Sequence, residues 1–143
     1  MNTNKKGDVG LVKSMMELTT NNYFVFTPIS DTTCVDLVIG NSEMELKRAQ
    51  IKYCSLVNGR VEIFMSTVIN GKRVAIDLSK LDMWIIYCPD NDKLYYIPIS
   101  DLVGKKSMKL RVVPPKVMSK QVTMADIYES IENAWVRDLL LPQ

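Results

Sequence analysis

Hydrophobic and polar positions recur along this chain with two periods. Over residues 5–20 the period is helical: Val9, Val12, Met16 and Thr19/Thr20 lie along one stripe, broadened by Leu11, Met15 and Leu18. Asp8 stands near the start of this helix, where a carboxylate suits the dipole, and Asn21-Asn22 ends it. From there the period is two. Residues 23–26, 35–39, 45–54 and 61–68 read as strands, with a loop at 30–33 and turn signals at Asn58-Gly59 and Asn70-Gly71. Within 45–54, Ala49, Ile51 and Tyr53 fall on one face, and Arg48, Gln50 and Lys52 fall on the other. The apolar runs 83–88 and 94–97 flank Pro89-Asp90-Asn91-Asp92 as a hairpin, and 109–113 is a short strand stopped by Pro114-Pro115. After a linker at 116–122, Thr123-Met124-Ala125-Asp126 has the form of a capping box. The helix it opens, about 123–140, carries Ile127, Ile131, Ala134, Trp135 and Leu139 at helical spacing, and Pro142 closes it.

This order of elements predicts an α/β (α+β) fold: strands in a sheet flanked by helices, with no internal repeat. The 143 residues suit a single domain, 1–143, with a core over about 5–113 and an added C-terminal helix. Composition agrees, with 47% hydrophobic and 24% charged residues. No apolar run approaches the ~20 residues that span a bilayer, so no membrane association is expected. No secretion signal follows Lys5-Lys6, and Cys34, Cys54 and Cys88 form no CxxC pair. The expected location is therefore cytoplasmic, or the chain is virus- or organelle-encoded, and it is not expected to be secreted.

Charge and chemistry narrow the picture further. Net charge is only +2, but basic residues come in pairs: Lys47-Arg48, Lys72-Arg73 and Lys105-Lys106, with Lys109 and Arg111 close behind. Gathered on one face, these eight would bind phosphates. Histidine is absent from the whole chain, which excludes Ser-His-Asp triads, Cys-His pairs and histidine-ligated zinc. Carboxylates and lysine around a hard cation are the chemistry that remains.

The stretch from Asp36 to Lys52 supplies such a set. Folded as a hairpin about Gly40-Asn41-Ser42, it brings Asp36 from one strand towards Gln50 and Lys52 on one face of the next. A divalent cation held by Asp36, Gln50 and the backbone carbonyl of Ile51 would serve phosphodiester hydrolysis. Lys52 would orient the water or stabilise charge on the phosphate.

In order and spacing, Lys6-Gly7-Asp8-Val9-Gly10, Val35-Asp36-Leu37-Val38 and Gln50-Ile51-Lys52 resemble a branch of the PD-(D/E)xK endonuclease superfamily. That branch has glutamine in place of the usual acid and includes a small cyanobacterial group I intron homing endonuclease. Ile86-Tyr87-Cys88-Pro89, Leu94-Tyr95-Tyr96-Ile97-Pro98-Ile99 and Lys109-Leu110-Arg111 continue the resemblance over most of residues 6–113. It implies a central mixed β-sheet flanked by helices. Asp36, Gln50 and Lys52 would be catalytic, with Mg²⁺ (Mn²⁺ substituting) at Asp36, Gln50 and the Ile51 carbonyl. The implied activity is endonuclease cleavage of double-stranded or branched DNA by a homodimer or homotetramer, of homing type. A Holliday-junction resolvase or a catalytically silent DNA-binding protein on the same fold are the alternatives. Where the branch often has an acid on the first helix, this chain has Leu11; Asp8, one turn earlier, is the candidate replacement, with Glu17 less well placed.

Overall fold

The computed structural model describes residues 1–30 and 33–139, the side chains as far as 137. In chain order the elements are α1 (Thr3–Thr20), β1 (Phe24–Phe26), β2 (Leu37–Gly40), β3 (Leu46–Tyr53), β4 (Arg60–Phe64), β5 (Ser66–Ile69), β6 (Lys72–Ala75), β7 (Met83–Cys88), β8 (Lys93–Pro98), β9 (Ser107–Arg111) and α2 (Ile131–Leu139). Short 3-10 turns lie at Leu78–Lys80, Ile99–Asp101 and Ala125–Tyr128. A five-stranded mixed sheet forms the centre, in the order β1-β2-β3-β7-β8. Only β3 and β7 run parallel; the other neighbours are antiparallel. β4 with β9, and β5 with β6, form separate two-stranded ribbons.

All six residues of β7 are buried, because apolar layers cover both of its faces. Met83, Ile85 and Tyr87 pack with Leu37, Ile39, Ala49, Leu18 and Trp135 on the side of α1 and α2. Trp84, Ile86 and Cys88 pack with Val61, Ile63, Met65 and Leu110 on the side of β4 and β9. The parallel step from β3 to β7 spans the β4–β6 excursion, as a parallel pair requires a crossover connection.

α1 meets the sheet through a face that apolar periodicity does not mark. Its buried residues are Gly10, Ser14 and Leu18, with Leu11 and Met15 half-buried, while Val12 and Met16 of the expected stripe are 61% and 67% exposed. Small side chains decide this. A Cβ on Gly10 would lie 3.3 Å from Ile51 Cγ2, so the helix backbone rides directly on β3. Ser14 donates its hydroxyl to Gly10 O at 2.7 Å and so buries no unpaired group. Tyr96 OH donates to Glu17 (2.9 Å), and Lys13 pairs with Asp92 (2.7 Å), tying the helix to β8 and the β7–β8 turn. The N-cap is Asn2, whose side chain accepts from Lys5 N, so Asp8 lies beyond the first turn where the dipole would favour it.

Two further expectations change. The single strand over 61–68 is broken at Met65, which is buried at 5% exposure. Its backbone N–H donates to Lys106 O and its carbonyl accepts from Ile76 N, so the chain passes from one ribbon to the other there. The inward alternation Val61, Ile63, Met65 ends at that point. The capping box at Thr123 is not formed either. Thr123 O accepts from Arg111 N, Ala125–Tyr128 is a 3-10 turn, and α2 begins six residues after the start of that turn. Ser130 Oγ caps it by accepting from Asn133 N (3.2 Å). Ile127 is exposed, whereas Ile131, Ala134 and Trp135 face the sheet. Pro142 and the Leu139 side chain lie outside the described residues.

Two outcomes test this packing. Gly10→Val should destabilise the fold by about 1–3 kcal/mol, because the added atoms meet Ile51; urea unfolding measures it. Arg48 and Asp82 join β3 to the entry of β7 through Arg48 N→Asp82 Oδ2 (2.8 Å), Asp82 N→Arg48 O (2.9 Å) and a 3.0 Å ion pair. Burial opposes the charge on Asp82, but the hydrogen bonds and charge of Arg48 outweigh it and hold the carboxyl below its ordinary range. A depressed folded value gives stability that is present above the unfolded value, ~3.9, and lost as pH falls through the folded one. The melting-temperature gap between wild type and Asp82→Asn should therefore be widest above pH ~4 and close in more acid solution.

Candidate active site

β2 and β3 pair from Gly40↔Leu46 to Leu37↔Ala49, and the last rung is Asp36 N→Ala49 O at 2.9 Å. Beyond it β2 leaves its neighbour. The next donor on that edge of β3, Ile51 N, is taken by the Asp36 side chain, with Oδ2 accepting at 2.8 Å. A carboxylate thus replaces a strand at the fork. In an antiparallel ladder the N–H and C=O of one residue lie on the same edge. The Ile51 carbonyl therefore opens into the gap that β2 vacates.

The alternation along β3 is the one its pattern predicts. Ala49 is buried and Ile51 packs below Gly10, on the α1 side. Gln50 and Lys52 take the opposite face. Gln50 borders a cavity of about 520 Å³ with Cys34, Thr67, Asp77 and Lys80. Lys52 borders one of about 170 Å³ with Cys54, Glu62, Phe64 and Ser66. β5 walls both, through Thr67 and Ser66. Among the described residues, Gln50 Oε1 is buried and has no hydrogen-bond partner. Its neighbour in register, Trp84, has a buried and unpaired Nε1, but a donor offers nothing to a cation. Lys52 Nζ stands 5.7 Å from the Trp84 ring centroid.

α1 adds no acid to this face. Asp8 is exposed and borders a shallow depression with Asn2, Asn4, Lys5, Val9 and Val12, where neither Asp36 nor Gln50 nor Lys52 appears. Leu11 is half-buried and packs against the core, and Glu17 accepts from Tyr96. The reason is the close seat of Gly10 on Ile51, which puts the helix on the face opposite Gln50 and Lys52. Among the described residues no three His, Cys, Asp or Glu side chains are grouped to hold a metal ion. Among the described residues, the predicted set offers the Asp36 carboxylate, the Gln50 amide oxygen and the Ile51 carbonyl.

Two acids that sequence reasoning passed over border these cavities. Asp77 faces that of Gln50, but its carboxylate accepts from Ser79, whose hydrogen bonds hold it below the ordinary range. Glu62 faces that of Lys52 and pairs loosely with Lys109, at 4.0 Å. The only signal for Glu62 was its place between Val61 and Ile63 in an alternating strand. Cys54 shares the Lys52 cavity; burial pushes its thiol up to about 11 against the pull of Lys52, so it is no nucleophile at neutral pH.

The eight basic residues separate into two sets. Lys47 is 6% exposed, donates to Trp135 O (3.4 Å) and lies 5.1 Å from that ring, so it serves the α2 junction rather than an open surface. Arg48 is engaged with Asp82 and Ser79 O, and Arg111 donates to Val113 O and Asn58 O across the Asn58-Gly59 turn. Lys109 stays on the surface near Glu62. Lys72, Arg73, Lys105 and Lys106 are exposed. The last three border one cavity of about 330 Å³ with Phe64 and Ser66.

Comparison with known proteins bears on this arrangement. No curated protein sequence matches the chain. Among solved structures, a bacterial homing endonuclease, I-Ssp6803I, superimposes with a TM-score of 0.75 at 19% identity, over 97% of this chain and 94% of that one. The two share the fold: a mixed central sheet with helices, the C-terminal one included. A family model described as PD-(D/E)XK endonuclease matches residues 1–131. The chain belongs to the PD-(D/E)XK endonuclease family.

Proposed function

We propose that this nuclease is a Mg²⁺-dependent endodeoxyribonuclease of homing type that hydrolyses phosphodiester bonds in double-stranded DNA. The observation that supports it best is Gln50 Oε1, a buried acceptor without a partner among the described residues, on the strand that Asp36 grips through Ile51 N–H. A buried unpaired acceptor costs about 1–3 kcal/mol, which a bound cation would offset. The donor set is hard oxygen throughout: the Asp36 carboxylate, Gln50 Oε1 and the Ile51 carbonyl. It fits Mg²⁺, with Mn²⁺ as substitute, and fits soft metals poorly. When bound, the cation supplies Lewis-acid polarisation of the phosphate and a more acidic water at neutral pH.

The chain's own residues do the rest. The Ile51 N–H orients the Asp36 carboxylate at the fork. Gln50 adds an oxygen without adding charge, so the site holds its metal more weakly than one with two acids. Lys52 carries a fixed positive charge into the adjacent cavity, where it orients the water or stabilises charge developing on the phosphate. Lys72, Arg73, Lys105 and Lys106 hold the DNA backbone. One chain presents one such site, so cutting both strands requires a homodimer or homotetramer.

A second reading, a catalytically silent DNA-binding protein on the same fold, draws support from the apolar Leu11, half-buried against the core, and the neutral Gln50. One assay separates the readings. With Mg²⁺ or Mn²⁺, wild type should cut linear duplex DNA, and Asp36→Asn or Lys52→Ala should each lower the rate by roughly 10²–10³-fold. Preference for four-way junctions without sequence preference would make it a resolvase. Equal inertness of all three proteins on every DNA would remove the nuclease activity. Gln50→Glu should lower the Mg²⁺ concentration needed for half-maximal rate.

A further inference from the structure

The β5–β6 ribbon walls the Gln50 and Lys52 cavities but supplies none of the proposed metal ligands. It is a two-stranded sheet of its own, and seven of its eight residues are exposed. Opposite residues of an antiparallel pair share a face. Thr67, Ile69, Lys72 and Val74 therefore lie on one side, and Ser66, Val68, Arg73 and Ala75 on the other. The first side borders the Gln50 cavity, and the second borders the cavity with Lys105 and Lys106. The ribbon stands between the candidate cleavage site and a cluster of cations. Its tip, Asn70-Gly71, has positive φ at both residues (51° and 77°), the tight turn whose twist suits a projecting ribbon.

Its apolar content runs against that exposure. Val68 is 61% exposed and Ile69 53%. A lone two-stranded hairpin is marginally stable in water, and bare aliphatic side chains on it need a partner. Charge complementarity names the partner's class: Lys72 stands on one face of the ribbon, and Arg73, beside Ser66 and Phe64, on the other with Lys105 and Lys106 at its base, so an anionic ligand would meet cations on either face. Size agrees. Four residues of strand reach ~13 Å, and a B-DNA major groove, ~12 Å wide and ~8.5 Å deep, admits a two-stranded ribbon.

We propose that the β5–β6 ribbon enters the major groove of the duplex beside the cleavage site, where Val68 and Ile69 contact thymine methyl groups while the surrounding cations hold phosphates. The proposal rests on the nuclease reading and adds what the enzyme reads. Aliphatic side chains form no hydrogen bond with base edges, and the one apolar group that the major groove offers them is the thymine C5-methyl.

The test uses the full chain and randomised duplex pools with Ca²⁺ in place of Mg²⁺. One pool contains thymine; in the other, deoxyuridine replaces it and only the methyl is lost. Wild type should enrich sites with thymine at fixed positions and bind the deoxyuridine form of such a site about fourfold more weakly per methyl contacted. Val68→Ser with Ile69→Ser should still bind DNA but treat the two forms alike. Equal affinity of wild type for both forms overturns the proposal, whatever the variant does. Enrichment from neither pool overturns this proposal alone, since the cleavage assay with Mg²⁺ decides the nuclease reading separately.

Discussion

One hydrogen bond sets the geometry on which the rest depends: Ile51 N–H to the Asp36 carboxylate, at 2.8 Å. A strand edge must satisfy its donors, and here the partner strand has already turned away after Asp36 N→Ala49 O. The side chain fills the vacancy. That act opens the sheet, holds a charged group at the opening and turns the Ile51 carbonyl into the same gap. Two strands that stayed paired would have no site, and two that parted without Asp36 would leave a backbone donor unsatisfied.

The other face of β3 is built by period and by cover. Because side chains alternate, the residue that seats α1, Ile51, is flanked by the two that α1 cannot reach, Gln50 and Lys52. β5 passes over these two and walls a cavity at each. Gln50 Oε1 is thereby cut off from water without receiving a donor. The cations follow the same logic: those facing α2 or the β7 entry are used to hold the fold, whereas Lys72, Lys105 and Lys106 are exposed and Arg73, exposed too, donates to Ser66 Oγ beside the Phe64 ring.

Much of this was legible in the sequence, for physical reasons. The period of two fixes which of Ala49, Gln50, Ile51 and Lys52 share a face, whatever lies on each side. The Asn-Gly turns demand positive φ, and both adopt it. The wholly apolar run of β7 had to be a strand covered on both faces. Other features depended on contacts far apart in the chain. Close helix-to-sheet packing favours small residues, so the buried face of α1 was marked by Gly10 and Ser14 and not by Val12 and Met16. Lys47 reads as a surface cation until Trp135, 88 positions away, closes over it. Glu62 reads as an outward strand residue, and only the fold brings it to the cavity that Lys52 borders. The expected acid of α1 is likewise a matter of docking, since the face on which the helix sits decides whether Asp8 points to the fork.

The central claim, that the fork between β2 and β3 is a cation site built on a single carboxylate, is tested most directly by crystals grown or soaked with Mn²⁺ and measured for anomalous scattering. One strong peak is expected within coordination distance of the Asp36 carboxylate, Gln50 Oε1 and the Ile51 carbonyl, absent from Asp36→Asn crystals. A fork that binds no Mn²⁺ at saturating concentration, or a peak elsewhere that leaves Gln50 Oε1 untouched, would contradict it.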